Sequence, residues 1–143
     1  MGDATPQPPN AADADVTILS DLHLGAGQDP VTGRWSRLED FFYDRELASF
    51  LDHMTSRVAT GERPQRLILN GDVFDFLLVT EVPTGAAAAA FGRAPTRSER
   101  KFGLEPTPLG TRWKLDRILA GHPAVFDALG RFLVRRCGPG PDA

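Results

Sequence analysis

The chain has 143 residues, with 16 Lys+Arg against 19 Asp+Glu and a net charge of −3 with His neutral. That length holds one domain at most, and 41% hydrophobic with 24% charged residues is ordinary for a soluble globular chain. The single Cys137 excludes an internal disulfide framework and fits a reducing compartment, and no apolar run approaches the ~18–20 residues that a bilayer requires.

The first residues carry Asp3, Asp13 and Asp15 and no Lys or Arg, unlike a secretory signal, so a cytoplasmic protein is expected. Residues 1–14 are rich in Pro, Ala and Asp without periodicity and read as a disordered leader. Val16-Thr17-Ile18-Leu19 is a short β-rich apolar run, expected to be a buried strand that ends in the polar tip Ser20-Asp21. Gly25, Gly27, Pro30 and Gly33 keep the next stretch irregular.

Ser36-Arg37-Leu38-Glu39 has the spacing of a capping box and predicts a helix start. Leu47, Phe50, Leu51, Met54 and Val58 then step at three and four residues along one helical face, and Gly61 is expected to stop it. Leu67-Ile68-Leu69 is a second expected buried strand, running into Asn70-Gly71-Asp72. The order strand, loop, helix, strand predicts an α/β fold with parallel strands.

Residues 82–110 form an irregular insert, partly helical in the Ala86–Ala90 run, either a cap over a site or a plain flexible connection. Two helices are expected to close the chain. Trp113, Leu115, Ile118 and Leu119 mark the first. Val125, Phe126, Leu129, Phe132 and Leu133 mark the second, entered at Pro123 and left at Gly138, with 138–143 as a tail. Residues 1–90 carry a balance of −8 and residues 91–143 one of +5. The basic half reads either as solvated helix faces or as a surface for a phosphorylated substrate or nucleic acid.

Two polar clusters follow the two strands: Asp21-Leu22-His23 and Gly71-Asp72-Val73-Phe74-Asp75. Ligands of open α/β sheets sit beyond the carboxyl ends of the strands, so Asp21, His23 and Asp72 are expected to converge. Two carboxylates and an imidazole suit Mn, Fe, Zn or Mg, and like charges brought together call for a cation. Taken singly, each cluster also fits a helix cap or a common turn. His53, within the amphipathic helix, reads as a surface or packing residue, and His122 as a helix-start residue.

Asp21-x-His23 followed by Gly71-Asp72-x-x-Asp75 resembles the first two motifs of the calcineurin-like metallophosphoesterase superfamily, over Val16 to about Leu78. The resemblance implies a metallophosphoesterase-type sandwich. It also implies a dinuclear centre of two divalent metal ions that hydrolyses phosphate mono- or diester or pyrophosphate bonds. It makes Asp21 and His23 ligands of the first metal and Asp72 a bridge between both. Asp75 becomes a catalytic-site carboxylate that orients the family's histidine. The family's later G-N-H-[DE] and G-H-x-H motifs do not occur, and the chain has three histidines, His23, His53 and His122.

The expectation is therefore the N-terminal portion of such a hydrolase over residues 15–137, incomplete and weakly active or inactive by itself. A partner chain could complete it, and Val79-Thr80 and the open strand edge are expected to be liable to pair with another chain. Within the family the motifs are similar to those of a UDP-diacylglucosamine pyrophosphohydrolase-like branch and of double-strand-break exonucleases. The substrate is then phosphorylated: a small molecule, a lipid-linked nucleotide or nucleic acid. The alternative is a truncated, non-catalytic metal-binding or nucleic-acid-binding fragment. A dinucleotide binder is disfavoured because no G-x-G-x-x-G follows either strand.

Overall fold

The computed structural model describes residues 14–59 and 65–137. The leader, the Gly61 helix stop and the tail from Gly138 lie outside these residues, apart from Ala14. Two strands, β1 (Asp15–Ser20) and β2 (Gln65–Asn70), pair in parallel with Asp15 opposite Gln65 and Ser20 opposite Asn70. The crossover between them contains helix α1 (Asp44–Ala59). Short helices α2 (Gly85–Ala89) and α3 (Glu99–Phe102) follow β2, and α4 (Pro108–Gly121) and α5 (Pro123–Cys137) close the described chain. The class is mixed α/β, and no described helix is long and apolar enough to cross a membrane.

Helix α1 lies against α5. Ala48 and Leu51 meet Ala128, with Leu47, Leu67, Ala124 and Leu129 packed around them. Across the same seam Arg131 makes a bidentate pair with Asp52, both bonds 2.9 Å long. A second core gathers Leu24, Ala26, Val79, Ile118 and Val125, which joins both strand-end loops to α4 and α5. Helix α4 starts where Thr107 accepts from the Gly110 amide at 3.1 Å with Pro108 behind it, a position that needs no amide donor.

Four expectations are corrected. The capping box does not start a helix: residues 36–43 are irregular and α1 begins at Asp44. Ser36 Oγ donates instead to Glu81 Oε1, and Glu39 is drawn into the interior by distant partners. The strands are not buried on both faces. Val16 and Ile18 are 51% and 62% exposed, and Ile68 beside them is also exposed, because the described helices cover one side only; Leu69, on the covered side with Leu19, is exposed as well. Val79 is not at a strand edge; it is fully buried in the second core. Phe50, Leu119 and Leu133 fit the helical spacing yet stand exposed, because the apolar stripe is wider than the surface that covers it.

The 82–110 segment is folded back on itself. Buried Glu99 takes both guanidinium nitrogens of Arg93 at 2.6 and 2.7 Å and the Thr96 amide at 2.8 Å. These donors hold the Glu99 carboxyl well below the usual carboxylate range. Gly103, at φ 84°, lies so close to the Val79 carbonyl that a Cβ would not fit. Beside it Lys114 is buried and donates to the Phe76 carbonyl at 2.9 Å.

Candidate metal centre

The parallel pairing of β1 and β2 continues past the strand ends. The His23 amide donates to the Asp72 carbonyl at 2.9 Å, the Leu24 amide to the Val73 carbonyl at 3.0 Å, and the Asp75 amide to the Leu24 carbonyl at 2.9 Å. The two polar tips are thus stitched side by side, as the adjacency of parallel strands requires. Asp21, His23 and Asp72 each offer one ligand atom, and the three atoms lie within 4.8 Å of one another. Asp21 and Asp72 are exposed, and the His23 side chain keeps 40% of its surface.

The backbone at this tip is unusual. Asp21 and His23 have φ values of 54° and 50°, the only described residues other than glycine in the left-handed region. That conformation costs an ordinary L-residue roughly 1–2 kcal/mol. It recurs where surrounding contacts over-determine the chain, often at functional sites. Here those contacts are the amide bonds just given. Across the gap Gly71 also has a positive φ of 73°, and a Cβ there would stand 3.2 Å from Asp21 Oδ1. A side chain at position 71 would therefore be strained in its backbone and would crowd a candidate ligand.

Asp75 lies beside the triad. Its Oδ2 lies 3.4 Å from His23 Nδ1, and its Oδ1 accepts from the Leu77 amide at 2.8 Å. The carboxylate is anchored by the backbone and turned toward the imidazole of the triad. The Asp75 charge also opposes the burial that pushes the Lys114 ammonium below its ordinary range.

The loop leaving the tip is held by residues whose role was not legible from spacing. Glu39 is buried and accepts from the amides of Gly25 at 3.3 Å, Gly27 at 2.6 Å and Phe41 at 3.1 Å. His122, fully buried, stands between two carboxylates. Its Nδ1 is 2.9 Å from Asp44 Oδ1, and its Nε2 is 3.5 Å from Glu39 Oε2, a charge contact too poorly aligned for a hydrogen bond. Burial alone would push the imidazole down, but Asp44 and Glu39 overcome it and raise it to about 9. Burial likewise favours a neutral Glu39, and His122 with the backbone donors outweighs it, so the carboxyl sits below its ordinary value.

His122 is thus an imidazolium clamped between anions, flanked by the ring of Phe41 at 5.9 Å. It does stand at a helix start, since its carbonyl accepts from the amides of Val125 and Phe126. His53 is exposed on α1. No signal within the Glu39 or His122 neighbourhood in sequence could have linked two residues so far apart. Glu39 and Asp44 face opposite ring nitrogens of His122, so the three do not gather ligand atoms around one point. Among the described residues the group Asp21, His23 and Asp72 is the one set of three such side chains brought together. No protein-family model matches the chain, and no curated protein or solved structure is significantly similar to it.

Proposed function

We propose that this chain carries a divalent-cation site and contributes it to a metal-dependent phosphoesterase, a hydrolase of phosphate ester or pyrophosphate bonds. One observation supports this above the rest: three ligand atoms of suitable chemistry gathered within 4.8 Å at the ends of paired parallel strands. Ligand atoms each about 2.1 Å from one cation lie at most about 4.2 Å apart. The 4.8 Å envelope is slightly larger, a difference that side-chain rotation closes. The donor set fits Mn, Fe, Zn or Mg.

A bound divalent cation supplies Lewis-acid polarisation of a phosphoryl oxygen and acidifies water. The chain's own residues do the rest. Asp21 and Asp72 neutralise the cation's charge, and His23 adds a nitrogen whose orientation Asp75 steadies through Nδ1, leaving Nε2 for the metal. The Asp75 carboxylate is itself fixed by the Leu77 amide, so the imidazole is held from behind. A two-cation centre would need donors beyond Asp72 that the described residues do not gather. That observation favours a second reading, a metal-binding fragment that turns over nothing without a partner chain.

Titration of the metal-free chain with Mn²⁺, followed by calorimetry and by hydrolysis of an aryl phosphate, separates the two. Saturable binding with weak, Mn²⁺-dependent hydrolysis supports the phosphoesterase, and saturable binding without turnover supports the fragment. Asp72→Asn should weaken Mn²⁺ binding at least tenfold, in line with the loss of a charged ligand worth about 1.5–3 kcal/mol. Full activity surviving Asp72→Asn would remove the metal-centre assignment.

A further inference from the structure

Helix α4 buries Gly110, Lys114, Ile118 and Gly121 along one stripe, so a lysine occupies a position where helical spacing calls for an apolar side chain. Lysine is almost never buried without a paired anion. Among the described residues Lys114 makes no direct ion pair, and the one acceptor its ammonium meets is the Phe76 carbonyl, at 2.9 Å.

That carbonyl and the Leu77 amide are the two ends of one peptide group. The peptide is trans, so its oxygen and its N–H point in opposite directions. Lys114 holds the oxygen end. The N–H end donates to Asp75 Oδ1 at 2.8 Å, and Asp75 Oδ2 lies 3.4 Å from His23 Nδ1. We infer that Lys114 is a positioning residue for His23, acting through the 76–77 peptide and the Asp75 carboxylate. What this relay serves rests on His23 being a metal ligand, as proposed above.

Each link fixes the next. A peptide in a turn can rotate about its flanking bonds, and a donor held to its oxygen removes that freedom. The cation also polarises the peptide, so that the N–H binds the carboxylate more firmly than an unpolarised amide would. With one oxygen fixed in this way, the other faces the imidazole from a set direction. Groups that orient a metal-binding ring from behind typically govern metal affinity by about tenfold or more.

The cationic end is shielded. Gly103 lies over it, and a Cβ there would stand 3.2 Å from Lys114 Nζ. Where water is kept away, a hydrogen bond is stronger than in solvent. The other end is open, since the His23 side chain keeps 40% of its surface. A lysine acting directly on a bound cation would repel it, and its removal would tighten binding. A lysine acting through Asp75 has the opposite sign.

The test combines Lys114→Met with Asp75→Asn in a double-mutant cycle. It is read by calorimetric titration with Mn²⁺ and, in the metal-free chain, by nitrogen NMR of the imidazoles. Asp75→Asn should weaken Mn²⁺ binding about tenfold, and Lys114→Met by between about threefold and tenfold. The double variant should bind like Asp75→Asn alone, because the relay reaches His23 only through Asp75, whereas a lysine with a merely structural role would add its own loss. In the metal-free wild type, above the imidazole titration range, His23 should be held as the Nδ1–H tautomer, and Lys114→Met should mix the two tautomers. Far-UV circular dichroism verifies the fold of each variant. Lys114→Gln, which keeps a neutral donor, carries the same cycle should Lys114→Met unfold, with a loss between those of wild type and Asp75→Asn. Tighter Mn²⁺ binding by Lys114→Met, additive losses in the double variant, or a His23 tautomer that does not respond to Lys114 overturns the inference. A wild-type His23 in the Nε2–H form overturns it without any variant. If the wild type binds no Mn²⁺, the metal reading fails, and the tautomer comparison in the metal-free chain still decides whether Lys114 positions His23.

Discussion

Removing the buried imidazolium at His122 is the sharpest test of how the loop behind the metal tip is held. In the folded chain its pKa is raised from 6.5 to about 9 by Asp44 and Glu39 against the opposing effect of burial. At 1.36 kcal/mol per decade, that rise corresponds to about 3 kcal/mol of folding stability. Because the folded value is the higher one, this contribution is fully present below pH 6.5 and is lost as pH rises through about 9.

Glu39 sets the acid limit with the opposite sign. Its folded value is depressed below 4.5, so its contribution is present above that pH and is lost as pH falls through the folded value. His122→Gln removes the titration and keeps a side chain of similar reach. Urea unfolding of both proteins from pH 6 to pH 10 reads the difference, in which the titrations of other groups cancel. The wild type should be more stable by about 3 kcal/mol at pH 6, and the gap should close toward pH 10. A gap that stays constant across that range would show that His122 is neutral in the fold, and the clamp as described would be wrong.

Gly71→Ala should weaken Mn²⁺ binding with little change in secondary structure, because the new Cβ stands 3.2 Å from Asp21 Oδ1 at a φ of 73°; calorimetric titration measures it. Gly121→Ala should destabilise the whole chain by at least about 2 kcal/mol in urea unfolding, as overpacking against backbone does, since its Cβ would collide with the Ala26 carbonyl. Arg93→Met leaves buried Glu99 without its bidentate partner, so limited proteolysis should cut faster within 82–110 while the rest of the chain resists.

The parts of the fold legible in the sequence are those set by neighbours in the chain. Val16–Leu19 and Leu67–Leu69 are short, β-rich and followed by polar tips, and the parallel pair of β1 and β2 contains them. Asp21, His23 and Asp72 were legible for the same reason, because strand adjacency alone brings such tips together. Ser36 and Glu39 show the limit. Their spacing is that of a helix cap, but three loop amides and His122 bind the Glu39 carboxylate more strongly than a first helical turn could. The strand runs likewise report apolar character and not which side is covered, so Val16 and Ile18 looked interior and are not. Asp75 was assigned by resemblance to a histidine elsewhere, and the histidine it faces is His23.

The bare face of the two-stranded sheet bears on how the protein can be handled. Val16, Ile18 and Ile68 form an apolar surface beside strand edges that no other described strand pairs, and molecules that meet there adhere unless electrostatic repulsion keeps them apart. That repulsion comes from a net charge of only −3 at pH 7 and vanishes near the isoelectric point of 5.6. Acidification toward 5.6 therefore invites precipitation, while alkalinisation toward 9 undoes the His122 clamp. Near-neutral buffer of low ionic strength is the compromise between colloidal and conformational failure.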